Sequence, residues 1–322
     1  MNIFVIGCGR WGSLITWYLD HIGHRVTLYG RAASPRMQAF LTTRQNDLLT
    51  LPESVALSTA LDAALESAET VIISIGSQSL RSLLGQSELQ ALRSRTVVLC
   101  MKGLEMGTGA RLSQIAAELL HPSNTVAVWL GPGHVQEFYR GIPNCMVIDS
   151  SREDVKRLLV RSFSSDLIRF YYGEDLIGNE VGAAAKNVVG IAAGFLDGKG
   201  LSSLKGALMS RGTREVARLI QAMGGSQLSA YGLCHLGDYE ATVFSRYSHN
   251  RQFGESFIRG ETYTDLAEGY YTVEALVLLG ERYGVELPIC QAVHRILYCG
   301  EDPMAELRTL LDRDLTREFG ES

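Results

Sequence analysis

Seven short apolar runs, NIFVI, RVTLY, TVIISI, TVVLCM, TVAVWL, NCMVIDS and LIRFYY, punctuate the first 172 residues, and most are separated by helix-length amphipathic stretches. Runs rich in β-branched residues and apolar on both faces read as strands covered on both sides by helices, which means βαβ units and a parallel sheet. After Gly173 the rhythm changes. DLIGNEVGAAAKNVVGIAAGFLDG, SLKGALMSRGTREVARLIQAMG, YYTVEALVLLGERYG and PMAELRTLLDRDLTREF carry apolar residues at three-to-four spacing, bounded by glycine or proline, and so predict helices. The expected organisation is an α/β domain over residues 1–176 followed by an all-α domain over 177–322, with the boundary between Gly173 and Asn179.

The first run leads directly into GCGRWG, with glycines at 7, 9 and 12. A lone GxGxxG is a weak signal, but this one follows a strand and opens a helix. Gly7 then permits the tight turn, Gly9 lets a pyrophosphate approach the backbone, and Gly12 lets the helix pack on the strand. The α/β domain is therefore expected to be of Rossmann type and to bind a dinucleotide. At the end of the second strand, where an acid would hold the ribose of NADH, the chain reads YGRAASPR. Arg31 stands there with Arg36 nearby, and a guanidinium suits a 2′-phosphate. Either NADPH or NADH is expected, with NADPH favoured.

Two charged groups stand in apolar settings. Lys102 follows the run VVLCM, at the carboxyl edge of the sheet where ligands bind in such folds. Lys186, followed by Asn187, interrupts a helix whose other residues are small and apolar all round. A buried amine has a mobile pKa, which suits a proton donor and acceptor, although a structural ion pair is the other reading. Asp238, in CHLGDYEAT, is a candidate partner for that amine.

The net charge of −5, with no basic run of four residues, gives no footprint for nucleic acid or an anionic membrane. The start has no basic segment ahead of its short apolar run, and Lys186 and Asn187 break the longest apolar stretch, so neither a signal peptide nor a membrane span is expected. Six cysteines without a CxxC pair predict reduced thiols and a cytoplasmic location. The expected partner is a small molecule; a homodimer is left open.

These motifs, with MKGLE at 101–105, GP at 131, VGAAAKNVVGIAAGFLDGKGL at 181–201, LGD at 236, HNRQFG at 249 and EG at 268, resemble those of the soluble, bacterial-type NAD(P)-dependent glycerol-3-phosphate dehydrogenases along nearly the whole chain. The resemblance implies an oxidoreductase in which Lys186 is the general acid/base, Asp238 its partner, and Lys102 orients the substrate near the nicotinamide. It places Gly131, Asn187, Thr242, Ser248, His249 and Asn250 at the substrate, with no metal. Arg10, Trp11, Arg31, Lys102, Val135 and Glu268 join the glycines at the cofactor.

Two stretches depart from the family's pattern. After Gly131-Pro132 the family carries a small hydroxyl residue, then Phe, then Ala, whereas this chain has Gly133, His134 and Val135. His134 is expected beside the nicotinamide as a flat ring, and not as a metal ligand. His249 stands where an arginine would bridge the substrate phosphate and cofactor. An authentic dehydrogenase would then meet the phosphate with Arg246, Arg251 or protonated His249. A reductase of the same fold with another small hydroxy or keto substrate, and a non-enzymatic NAD(P)-binding protein, are the alternatives.

Overall fold

The seven apolar runs become seven strands of one eight-stranded sheet in a computed structural model that describes residues 1–61, 63–313 and 318. The strands are β1 (Asn2–Ile6), β2 (Arg25–Tyr29), β3 (Ala56–Ser58), β4 (Thr70–Ile73), β5 (Thr96–Leu99), β6 (Thr125–Leu130), β7 (Asn144–Ser150) and β8 (Ile168–Tyr172). Their order is β3-β2-β1-β4-β5-β6-β7-β8. The short edge strand β3 has no counterpart among the predicted runs, because three residues are too few to show an alternation.

The sheet is parallel from β3 through β6, but β7 runs antiparallel to β6 and parallel to β8. The expected parallel sheet is thus parallel apart from one reversal, at β7, and the connection explains that reversal. Between Leu130 and Asn144 the only helix is the five-residue Val135–Tyr139, about 7.5 Å long. It cannot carry the chain back along a strand of about 20 Å, which a parallel return requires. The 11-residue helix Glu153–Phe163 can, and β8 accordingly lies parallel to β7.

Successive residues of β1 enter opposite cores. Ile3 and Val5 join Trp129, Tyr18 and Phe163 on one face, while Phe4 and Ile6 join Val71, Ile73, Leu99 and Leu112 on the other. Ala183 and Cys234 pack into that second core, so the helix Leu176–Gly198 lies against the sheet. The rest of that helix forms the centre of the helical half, packing with the helices Lys205–Ala222, His249–Arg259, Glu268–Tyr283 and Pro288–His294. The last helix is seen from Pro303 to Leu311; its predicted continuation over 314–317 and 319 lies outside the described residues. All six cysteines are free, four of them buried. Among the described residues, no helix is long and apolar enough to cross a membrane.

The chain leaves β1 outward to β2 and β3, then returns to β4 on the other side of β1. Such a switch opens a crevice at the carboxyl ends of the strands. The loops that follow β1, β4, β5 and β6 carry the glycine motif, Ser77, Lys102 and Gly131 to that edge, facing the helix that bears Lys186.

Candidate active site

The helix Leu176–Gly198 starts where the Asp175 carboxylate accepts from the Gly178 amide at 3.0 Å. Its small residues let neighbours close on every side, leaving Lys186 only 6% exposed. The Lys186 amine donates to Asp238 Oδ2 and to Thr242 Oγ1, each at 2.8 Å. Lys102 donates to the same Asp238 oxygen at 2.8 Å and to the Gly131 carbonyl at 2.6 Å. Two amines thus share one carboxylate that is 1% exposed, and the group keeps a net positive charge while both are protonated. Burial pulls the Lys186 amine down to about 8 against the attraction of Asp238, and Lys102 adds to the fall. Behind Asp238, His235 lies between the Gly182 carbonyl at 2.8 Å and the Tyr239 hydroxyl at 2.7 Å. Burial holds it at about 4, so it is neutral.

Asn187 donates to the Lys102 carbonyl at 2.7 Å and accepts from Asn250 at 3.0 Å; Asn250 in turn accepts from the Gly269 amide at 2.9 Å. Six of the predicted positions, Lys102, Gly131, Lys186, Asn187, Asp238 and Thr242, therefore form one bonded cluster, and Asn250 joins it through Asn187. Ser248 accepts from the Arg251 amide as the cap of the helix His249–Arg259. His249, on that helix, contacts Arg10 at 3.0 Å through Nε2 and the Tyr263 hydroxyl at 2.6 Å through Nδ1. Burial and Arg10 lower its pKa against the opposing pull of Asp265. Of the two arginines expected at a phosphate, Arg251 is committed to Asp197 at 2.8 Å and Glu255 at 2.9 Å, and Arg246 lies over the Tyr247 ring.

The glycine loop fits a dinucleotide. Gly7 has φ +118°, and a Cβ there would stand 2.1 Å from the Ser74 carbonyl oxygen, so the turn excludes any other residue. Gly9 faces open space, its hypothetical Cβ meeting nothing nearer than Arg36 Nη1 at 3.9 Å. The nearby indole Nε1 of Trp11 is buried without a partner, and its ring lies 5.9 Å from the Lys102 amine. Arg31 is exposed at the end of β2. Glu268 accepts from the Ser77 amide at 2.9 Å and from the Ser77 hydroxyl, which ties the helix Glu268–Tyr283 to the loop after β4; burial raises its pKa. Val135 does not line the crevice with its side chain, which is buried in the core that holds Trp129 and Phe138.

Ser77 and Tyr263 complete these contacts and were not expected from sequence. Their partners lie 191 and 14 residues away, and neither residue stands out in its own segment. Only the position of Ser77 just after a strand at the carboxyl edge is a usable signal.

A family model for the NAD-dependent glycerol-3-phosphate dehydrogenase N-terminus matches residues 2–156, and one for the C-terminus matches residues 175–308. Glycerol-3-phosphate dehydrogenases of the NAD(P)+ type from a Thermoanaerobacter species and from Streptomyces griseus are 31% and 35% identical to the chain. The alignments cover 99% and 98% of this chain and 99% and 97% of those relatives. The chain belongs to the glycerol-3-phosphate dehydrogenase family. A crystal structure of the Coxiella burnetii glycerol-3-phosphate dehydrogenase superposes with TM-score 0.90 at 27% identity, covering 97% of this chain and 98% of that one. A 2-dehydropantoate 2-reductase from Methylococcus capsulatus shares the fold alone, with TM-score 0.62 at 16% identity, covering 98% and 99% of the two chains.

The departure at Gly133 from the family's pattern has a geometric cause. Its φ is +140°, and a Cβ would stand 2.2 Å from the Phe138 ring, so a hydroxyl residue does not fit this turn. His134 follows it with an edge-on contact to Tyr247 at 5.4 Å and a buried Nε2 that has no partner. It faces a cavity of about 490 Å³ that Gly237, Glu240 and Arg246 help to line, and burial lowers its pKa.

Proposed function

We propose that the chain interconverts dihydroxyacetone phosphate and glycerol 3-phosphate, using NADPH or NADH. The observation that carries this reading is the buried Lys186–Asp238–Lys102 cluster at the carboxyl edge of a dinucleotide-type sheet. Gly7, Gly9, Trp11, Gly12, Arg31 and Glu268 are the residues we assign to the cofactor, Arg10 being kept for the substrate side of the crevice, and the nicotinamide, when bound, supplies the hydride. Reducing a ketone builds negative charge on its oxygen and then requires a proton. Lys186 answers both needs, because its ammonium sits in a dry site and its amine is poised at about 8. Asp238 keeps that amine charged despite burial. Lys102, held by Gly131 and Asp238, orients the substrate, and Asn187, Thr242, Ser248 and Asn250 line the rest of its site.

Arg31 at the end of β2, with Arg36 beside Gly9 and no acid at that strand end, supports a preference for NADPH. The strand-bearing residues 1–176 and the helical residues 177–322 serve as cofactor and substrate domains in this reading. The six unpaired cysteines suit the cytoplasm.

The test follows NADPH absorbance with dihydroxyacetone phosphate and, separately, with unphosphorylated dihydroxyacetone. Charged hydrogen bonds to the phosphate should give the phosphorylated ketone an advantage of about a hundredfold in kcat/KM. No turnover of the phosphorylated ketone, or equal turnover of the two, refutes the reading.

A further inference from the structure

Arginine has five N–H donors and no acceptor. The 3.0 Å contact between Arg10 Nη1 and His249 Nε2 therefore has one polarity: Arg10 donates, and Nε2 accepts with its lone pair. A ring that accepts at Nε2 is neutral and carries its proton on Nδ1. That proton points at the Tyr263 hydroxyl 2.6 Å away, and Tyr263 passes its own proton toward Gln252 Oε1 at 3.4 Å. The chain of donors runs in one direction from Arg10 through His249 and Tyr263 to Gln252. His249 has no N–H left for a ligand. Arg10 has four, and among the described residues no carboxylate forms an ion pair with it.

The position of this guanidinium is as informative as its valency. Arg10 is the first residue of the helix Arg10–His21, directly after Gly9, yet it reaches the start of the helix His249–Arg259 across the crevice. The next residue on that helix, Asn250, is bonded to Asn187, the neighbour of Lys186. A small molecule whose carbonyl meets Lys186 would present its far end to Arg10. Of the other cations near the crevice, Lys102 and Lys186 are held by Asp238 and Arg251 by Asp197 and Glu255, while Arg36 lies beside Gly9 on the glycine loop.

We propose that Arg10 is the specificity-determining cation that holds the substrate's phosphate monoester, and that His249 is a positioning residue that aims it by accepting one of its N–H groups. This rests on the reading of the substrate as a phosphorylated ketone. The same guanidinium lies beside the loop expected to cradle the cofactor's pyrophosphate, so the measurement must separate two phosphate sources.

Arg10→Gln keeps a polar side chain without the charge. It is expected to raise KM for dihydroxyacetone phosphate tenfold or more, the scale of a charge-assisted hydrogen bond, with a much smaller loss for unphosphorylated dihydroxyacetone. The NADPH Kd of the binary complex should change little, and Arg10→Lys should restore part of the phosphate affinity. A large rise in NADPH Kd with an unchanged KM would assign Arg10 to the cofactor and overturn the proposal. His249→Phe should raise KM in the parent but add little in the Arg10→Gln background, since it acts through Arg10. Additive effects would mean that His249 meets the phosphate itself and would equally overturn it. Inorganic phosphate binding to the enzyme–NADPH complex, read by calorimetry, tests Arg10 whether or not the parent reduces dihydroxyacetone phosphate. Absent turnover refutes the functional reading alone, whereas phosphate affinity unchanged by Arg10→Gln refutes the role of Arg10.

Discussion

Burying an amine costs several kcal/mol unless a partner offsets it, and Lys186 meets that cost by sharing one carboxylate oxygen with Lys102. The compromise leaves its pKa near neutrality, at about 8. The sign of the pH dependence follows. In the proposed reaction, the amine below about 8 is charged and would donate a proton to a nascent alkoxide, and above it the amine is free and would accept one. The kcat/KM for ketone reduction should therefore fall as pH rises through about 8, while that for alcohol oxidation should rise across the same interval. The charged and titratable groups that set this value are Asp238, Lys102 and Cys234. Two profiles that ignore this interval, with reduction flat to about pH 10, the ordinary lysine range, would remove Lys186 from the chemistry. Lys186→Met should fold and bind NADPH, because Asp238 keeps Lys102 as its counter-charge, yet lose at least about a hundredfold in turnover. Near-parental turnover in this variant would make the lysine structural. The lysine was legible in sequence because a charge inside an all-apolar helix has few bland explanations. The direction of the Arg10–His249 bond was not, since it depends on two residues 239 positions apart.

At the scale of elements, the helix Leu176–Gly198 can bury its polar pair only because its neighbours come close. A Cβ at Gly194 would stand 2.1 Å from the Arg251 carbonyl, and one at Gly254 would stand 2.2 Å from the Ile191 carbonyl. The two helices touch backbone to backbone there, and this contact fixes the distance between Asn187 and Asn250. Gly194→Ala gains helix propensity worth about 1 kcal/mol, but the backbone oxygen it meets cannot move aside as a side chain would. The net expectation is a loss of about 1–3 kcal/mol, the range for overpacking, with a KM increase as the helix His249–Arg259 is pushed away. Denaturant melts and steady-state kinetics on the same preparation check both halves; a stabilised variant with parental KM would contradict the close-contact account. Small-residue composition announced this helix in the sequence, because nothing else allows packing on every side. The reversal of β7 was not announced, since apolar strands read alike in either direction and only the length of the Val135–Tyr139 helix decides it.

At the scale of the whole molecule, several contacts stitch the strand-bearing part to the helical part across the crevice, among them Arg10 to His249, Ser77 to Glu268, Lys102 to Asp238, and the Lys102 carbonyl to Asn187. The change from strands to helices after Tyr172 was visible in the sequence as a change of rhythm, but these bonds join residues far apart in the chain and have no local signature. They also predict how the molecule melts. If the cofactor binds at the glycine loop, it lies beside Arg10, which reaches across to His249, so its binding energy is felt on both sides of the crevice. NADPH at one hundred times its Kd adds about 2.7 kcal/mol to the stability of the state that binds it. At about 2–4 °C per kcal/mol for proteins of a few hundred residues, that is a rise of roughly 5–10 °C in Tm. Scanning calorimetry should therefore show one cooperative transition, or two that both move upward with NADPH. Arg10→Gln and Glu268→Gln each take the charge out of a crossing contact and so weaken it, and should split or broaden the apo transition before they affect its upper limit. A thermogram with two independent transitions, of which NADPH moves only one, would mean that the two parts unfold as separate units and that the crevice contacts position ligands without coupling the parts.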